Sequence, residues 1–216
     1  MQKKDEDKKI ISILGDSVST FAGYTPREAV FYDGYMQKET GVQDVKDTWW
    51  MQVIDAAGGV LGINHSVAGS TVSGRLRTSG TSLERLEALG ENGEPDMILV
   101  SMGANDWGYG VLPQEFSEEY QNMIFTLKIL YPKAEIWCST LLEGGFPSER
   151  GNAFFNVDAC ISKRIYSDII RDAAKKAEVR LADLAAHDIA YTTVDGVHPD
   201  KNGMSTIASL WIKELC

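Results

Sequence analysis

Five short apolar runs, each bounded by turn residues, alternate with longer segments of helical period, and this alternation most constrains how the chain can fold. The runs are Ile10 to Leu14, Val60 to His65, Met97 to Met102, Glu135 to Thr140 and Val179 to Ala182. Runs of this length flanked by turn chemistry read as buried strands. Between and after them, helical spacing covers about Thr48 to Ala57, Ser82 to Leu89, Pro113 to Leu130, Asp158 to Lys176 and Lys201 to Glu214. Strands and helices in strict alternation predict an α/β fold on a five-stranded parallel sheet. Local chemistry agrees: Thr81 and Glu84 are spaced for a capping box, and Pro113 sits where a helix start tolerates a missing N–H. A chain of 216 residues buries roughly 70 per cent of its unfolded surface as one unit. With no repeat, low-complexity tract or linker, residues 10–216 are expected to form one domain behind a charged arm at 1–9.

In an open parallel sheet the ligand crevice lies outside the carboxyl ends of the strands. Three polar stretches fall there: "GDS" after the first strand, "NHSVAGST" after the second and "GANDWGYG" after the third. Ser17, at a strand-to-helix turn, sits where backbone N–H groups favour developing negative charge. By itself a Gly-Asp-Ser triplet is weak, since roughly one chain in twenty of this size carries it by chance, and a turn or N-cap serine is the plain alternative. Asn105 offers a neutral amide donor, with an Asx turn as its alternative. Gly69 offers a backbone N–H with no side chain in the way, or simply a flexible turn. Near the other end, "DGVH" puts Asp195 and His198 three apart before the last helix. One loop can then deliver a base and the carboxylate that orients it.

In that order, "GDS" at 15–17, Gly69 in "NHSVAGST", "GAND" at 103–106 and "DGVH" at 195–198 span nearly the whole chain. The set closely resembles the SGNH hydrolase family, the GDSL-type esterases and lipases. The resemblance implies a flavodoxin-like three-layer α/β/α sandwich and serine esterase activity with no metal or organic cofactor. It also implies Ser17 as nucleophile, His198 as general base and acid, and Asp195 as the group that orients the histidine. The oxyanion hole would comprise the Ser17 N–H, the Gly69 N–H and the Asn105 side chain, while Asp16 supports the turn.

Charge and composition narrow the partners. Thirty-one acidic against 21 basic residues give a net charge of −10, which repels phosphate backbones and anionic membranes. Nucleic acid is excluded as an expected partner, and the substrate is expected to be a small acyl ester, with an acylated carbohydrate first and thioester or lysophospholipid second. A non-catalytic binding domain is the reading from another class. Cys138, Cys160 and Cys216 lack metal or disulfide spacing and read as free thiols. No run approaches the length of a membrane span, and no apolar lid is visible. The chain is expected to be soluble, cytoplasmic by default and exported if a signal has been removed from its N-terminus.

Specificity falls to the loops. The segment from 20 to 47 carries Phe21, Tyr24, Phe31, Tyr32 and Tyr35. These aromatics, Tyr24 among them, either roof the site and stack on a sugar or aryl ring, or form a satellite core or a subunit contact. Trp107 and Tyr109, just beyond Asn105, either line an acyl pocket or pack under the turn. The loop holding Glu143, Phe146 and Arg150 either selects substrate or faces solvent. His65 is expected to be structural and His187 to lie on the surface.

Overall fold

The computed structural model describes residues 8–27, 29–74, 78–142 and 161–216. The expected charged arm, apart from residues 8 and 9, and the loop with Glu143, Phe146, Arg150 and Cys160 lie outside the described residues.

Strands β1 (Ile10–Gly15), β2 (Val60–Asn64), β3 (Met97–Ser101), β4 (Glu135–Ser139) and β5 (Arg180–Ala182) fall on the five apolar runs. All pair in parallel, in the order β2-β1-β3-β4-β5. This is the flavodoxin-like order, whose direction reverses between β1 and β3. The helices are α1 (Met36–Thr40), α2 (Trp49–Ala56), α3 (Leu83–Ala88), α4 (Ala104–Gly108), α5 (Pro113–Leu130), α6 (Lys163–Ala177) and α7 (Lys201–Leu215).

Because side chains alternate across a strand, the sheet feeds two cores. Ile11, Ile13, Met97 and Leu99 pack with α2 and α7, where Trp49 and Trp211 stack with centroids 5.3 Å apart. Leu14, Ile98, Val100, Ile136 and Cys138 pack with α3, α5 and α6 on the other face. The result is the expected three-layer sandwich.

Two local details differ from expectation. The box between Thr81 and Glu84 does not form, because Ser82 is the N-cap and makes no side-chain cap bond. Thr81 Oγ1 donates instead to the Val72 carbonyl at 3.4 Å. Helix α6 starts at Lys163, capped by Ser162 Oγ on the Arg164 N–H, later than the apolar period placed it. A capping hydroxyl, not the onset of periodicity, sets that boundary.

Candidate active site

Gly15 ends β1 opposite Ser101, the last residue of β3, so the loops leaving these strands open beside each other at the point where strand order reverses. A Cβ on Gly15 would come within 2.6 Å of the Ser19 side chain and 2.7 Å of Ser66 Oγ. Only glycine allows the chain to turn this tightly. Asp16 then caps a 3₁₀ turn over Ser17–Ser19, its Oδ1 accepting the Val18 N–H at 3.1 Å. The turn leaves Ser17 just 8 % exposed.

The Ser17 Oγ lies 2.9 Å from His198 Nε2, and His198 Nδ1 lies 2.6 Å from Asp195 Oδ2. With the Nδ1 proton given to the carboxylate, Nε2 is the acceptor for the serine hydroxyl. The loop that carries both residues is fastened before it reaches α7. Thr193 and Pro199 form an antiparallel bridge, the Val194 N–H donates to the His198 carbonyl at 3.0 Å, and the Tyr191 hydroxyl donates to the Val197 carbonyl at 3.0 Å. Burial would raise the Asp195 carboxyl, but its bonds from the His198 ring and from the Val197 and His198 amides outweigh it and hold the group below its usual range. Asp195 therefore stays charged beside the imidazole.

In the loop after β2, Gly69 adopts φ +75, a left-handed conformation that glycine takes without strain. Among the described residues no protein acceptor takes the amide of Ser17 or of Gly69. Asn105 Nδ2 donates one of its protons to the Ser70 carbonyl at 2.8 Å, which fixes the amide plane and leaves a second proton for another acceptor. Its neighbour Asp106 is fully buried and joins the two loops. Its carboxylate accepts the Val72 N–H at 2.8 Å, the Ser73 N–H at 2.9 Å and the Ser73 hydroxyl. The Asp195–His198–Ser17 bond path, with Gly69 and Asn105 on the loops after β2 and β3, is an arrangement suited to acyl transfer.

The model of the GDSL-like lipase/acylhydrolase family matches residues 9–215. The chain belongs to that family. A relative named thioesterase 1/protease 1/lysophospholipase L1, from Escherichia coli K12, is 25% identical over 207 residues, covering 94% of this chain and 81% of its own. A structure described as a GDSL-like lipase from Bacteroides uniformis superposes with a TM-score of 0.72 at 27% identity, covering 96% of this chain and 95% of that one. A carbohydrate acetylesterase family member from Sinorhizobium meliloti gives 0.71 at 16% identity, covering 96% and 97%, and shares the fold.

Around this GDSL-type constellation the other expected residues fall differently. Tyr109 is 59% exposed, and a Cβ on Gly69 would lie 3.7 Å from its hydroxyl, so its ring borders that loop. Trp107 spends its indole N–H on the Ile161 carbonyl at 2.9 Å, under Lys163, and packs on the core. Tyr24 leans on Trp50 and Phe21 with centroids 6.2 and 6.0 Å away. The segment after the nucleophile divides its aromatics: Phe21 and Tyr32 are buried in the core, while Tyr35 is exposed. His65 lends its carbonyl to Arg85 at 2.7 Å, and burial pushes its imidazole down. His187 is half-buried rather than on the open surface, its Nε2 2.5 Å from Glu214, because α7 brings that carboxylate against it.

Three residues beside the site have roles that the sequence does not assign: Phe31 reads there only as one of the segment's aromatics, Asp106 only as part of the "GAND" block, and Arg85 not at all. Phe31 lies flat on His198, Asp106 joins two loops, and Arg85 is buried beneath the Ser17 turn. Arg85 is 1% exposed and donates to the carbonyls of Gly15 at 2.9 Å, His65 at 2.7 Å and Thr78 at 2.5 Å. Burial lowers its guanidinium to about 10, partly offset by Asp16. Asp16 in turn is raised by burial to about 6, against the pull of the Val18 amide and His198. Among the described residues no group of three or more His, Cys, Asp and Glu side chains is arranged to hold a metal ion, and no helix is long and apolar enough to cross a membrane.

Proposed function

We propose that this GDSL-family hydrolase is a serine carboxylic ester hydrolase that removes short acyl groups, acetyl from a carbohydrate first among them. The observation that carries the reading is the continuous bond path from Asp195 through His198 to the Ser17 hydroxyl, at 2.6 and 2.9 Å. His198 Nε2 takes the hydroxyl proton as Ser17 Oγ bonds to the ester carbonyl carbon. The tetrahedral oxyanion accepts from the Ser17 and Gly69 amides and from the free proton of Asn105 Nδ2. On collapse, Nε2 returns the proton to the departing alcohol oxygen and leaves an acyl-enzyme. Water then repeats the sequence, freeing the acid.

A short acyl group is favoured by how little of Ser17 is open to solvent, and a sugar by the exposed Tyr109 ring beside Gly69, which offers an apolar face and a hydroxyl. The name of the Escherichia coli relative favours a second reading, thioester or lysophospholipid cleavage. A panel of acetylated sugars, p-nitrophenyl acetate and octanoate, and an acyl thioester separates the two, with released acid measured directly. Acetyl esters should lead, and Ser17→Ala should lose on the order of a millionfold in kcat. Octanoyl or thioester substrates turning over faster would move the assignment to the second reading, and an active Ser17→Ala protein would contradict both.

A further inference from the structure

His198 carries a ring on its face. The Phe31 and His198 centroids are 3.5 Å apart at an interplanar angle of 11°, so the phenyl plane covers the imidazole while both ring nitrogens stay on Asp195 and Ser17. Phe31 comes from the segment that separates the nucleophile turn from α2, and that segment is tied to both halves of the bond path. Thr20 Oγ1 donates to the Ser17 carbonyl at 2.8 Å and accepts the Phe31 N–H at 2.9 Å. The next residue, Tyr32, is fully buried and donates its hydroxyl to the Pro199 carbonyl at 2.8 Å, one residue past His198. The Tyr32 ring stands edge-on to Phe31 with centroids 5.0 Å apart. Two hydrogen-bonded anchors and one aromatic edge therefore hold the phenyl ring in place without any contribution from the histidine.

Resting on the esterase reading above, we propose that Phe31 is a positioning residue for His198. Its face confines the imidazole to the plane that joins Asp195 Oδ2 to Ser17 Oγ. The same face lies against the imidazolium that exists while Nε2 holds the serine proton. The negative face of an aromatic ring attracts such a cation, and the charge arises on the way to the tetrahedral intermediate rather than in the resting enzyme. An interaction made only with the charged ring lowers the barrier without tightening substrate binding. Phe31 accordingly acts on kcat, through the histidine.

Four proteins test this with p-nitrophenyl acetate: the native chain, Phe31→Leu, Phe31→Tyr, and a chain with 3,4,5-trifluorophenylalanine at position 31. The fluorinated ring keeps the shape and removes most of the negative face. Phe31→Leu should lower kcat on the order of tenfold with KM nearly unchanged; Phe31→Tyr should restore most of it, and the fluorinated ring should fall between. A KM rise at unchanged kcat, or native kcat in the fluorinated protein, would overturn the proposal, and the fluorinated chain decides the matter if Phe31→Leu does not fold. Ser17→Ala assayed alongside separates this from the esterase reading: an inactive Ser17→Ala with a fully active Phe31→Leu overturns only the role of Phe31.

Discussion

At the scale of single residues, the Ser17 turn is built on an awkward carboxyl. Asp16 is 5% exposed, its ionised form is disfavoured by burial, and its pKa is pushed up from 3.8 to about 6. A folded pKa above the unfolded one means that the folded state binds the extra proton. Asp16 thus costs nothing below pH ~3, where it is protonated in both states, and the cost grows as pH rises from 3.8 to about 6. Above that it is complete, on the order of 3 kcal/mol. Asp16→Asn keeps an oxygen for the Val18 N–H and removes the charge. Urea unfolding should find this variant more stable than the native chain at pH ~8, with the gap largely closed at pH ~3, whereas an identical gap at both would contradict burial as the cause. The sequence offered Asp16 as a turn support but gave no sign of its environment. That environment includes Arg85 and Asp106, charged groups that α3 and α4 bring from elsewhere in the chain.

At the scale of elements, the loops after β2 and β3 are one unit because Asp106 accepts three donors from the first while standing on the second. Burial raises its carboxyl, and the Ser73 and Val72 bonds oppose that. Asp106→Ala would leave two amides and a hydroxyl without an acceptor, each worth about 1–3 kcal/mol when buried. A loss of about 3 kcal/mol in unfolding free energy is expected, with faster hydrogen exchange at Val72 and Ser73. A change below about 0.5 kcal/mol would show that the loops hold without it. The strands themselves were readable, since the apolar runs from Ile10, Val60, Met97 and Glu135 begin where β1 to β4 begin. Short elements were not: α1 and α4 have five residues each, too few for a helical period to register, and their ends are set by tertiary contacts.

At the scale of the whole molecule, alternation of strand and helix was enough to predict the layers and the parallel sheet, because that pattern has few other ways to bury two faces of a sheet. The candidate site was legible for a related reason. Ser17, Gly69, Asn105 and His198 each follow a different strand, and a parallel sheet delivers all such loops to one edge. What the pattern could not supply is the segment from 20 to 47, which follows no periodicity and whose aromatics divide among core, surface and the His198 face. If assembling these loops turns Ser17 from a turn residue into an activated nucleophile, a fluorophosphonate should label the folded chain at one residue, found by peptide mapping to be Ser17, and far more slowly in His198→Ala. An unlabelled Ser17, or labelling that does not depend on His198, would show that the loops leave it an ordinary serine.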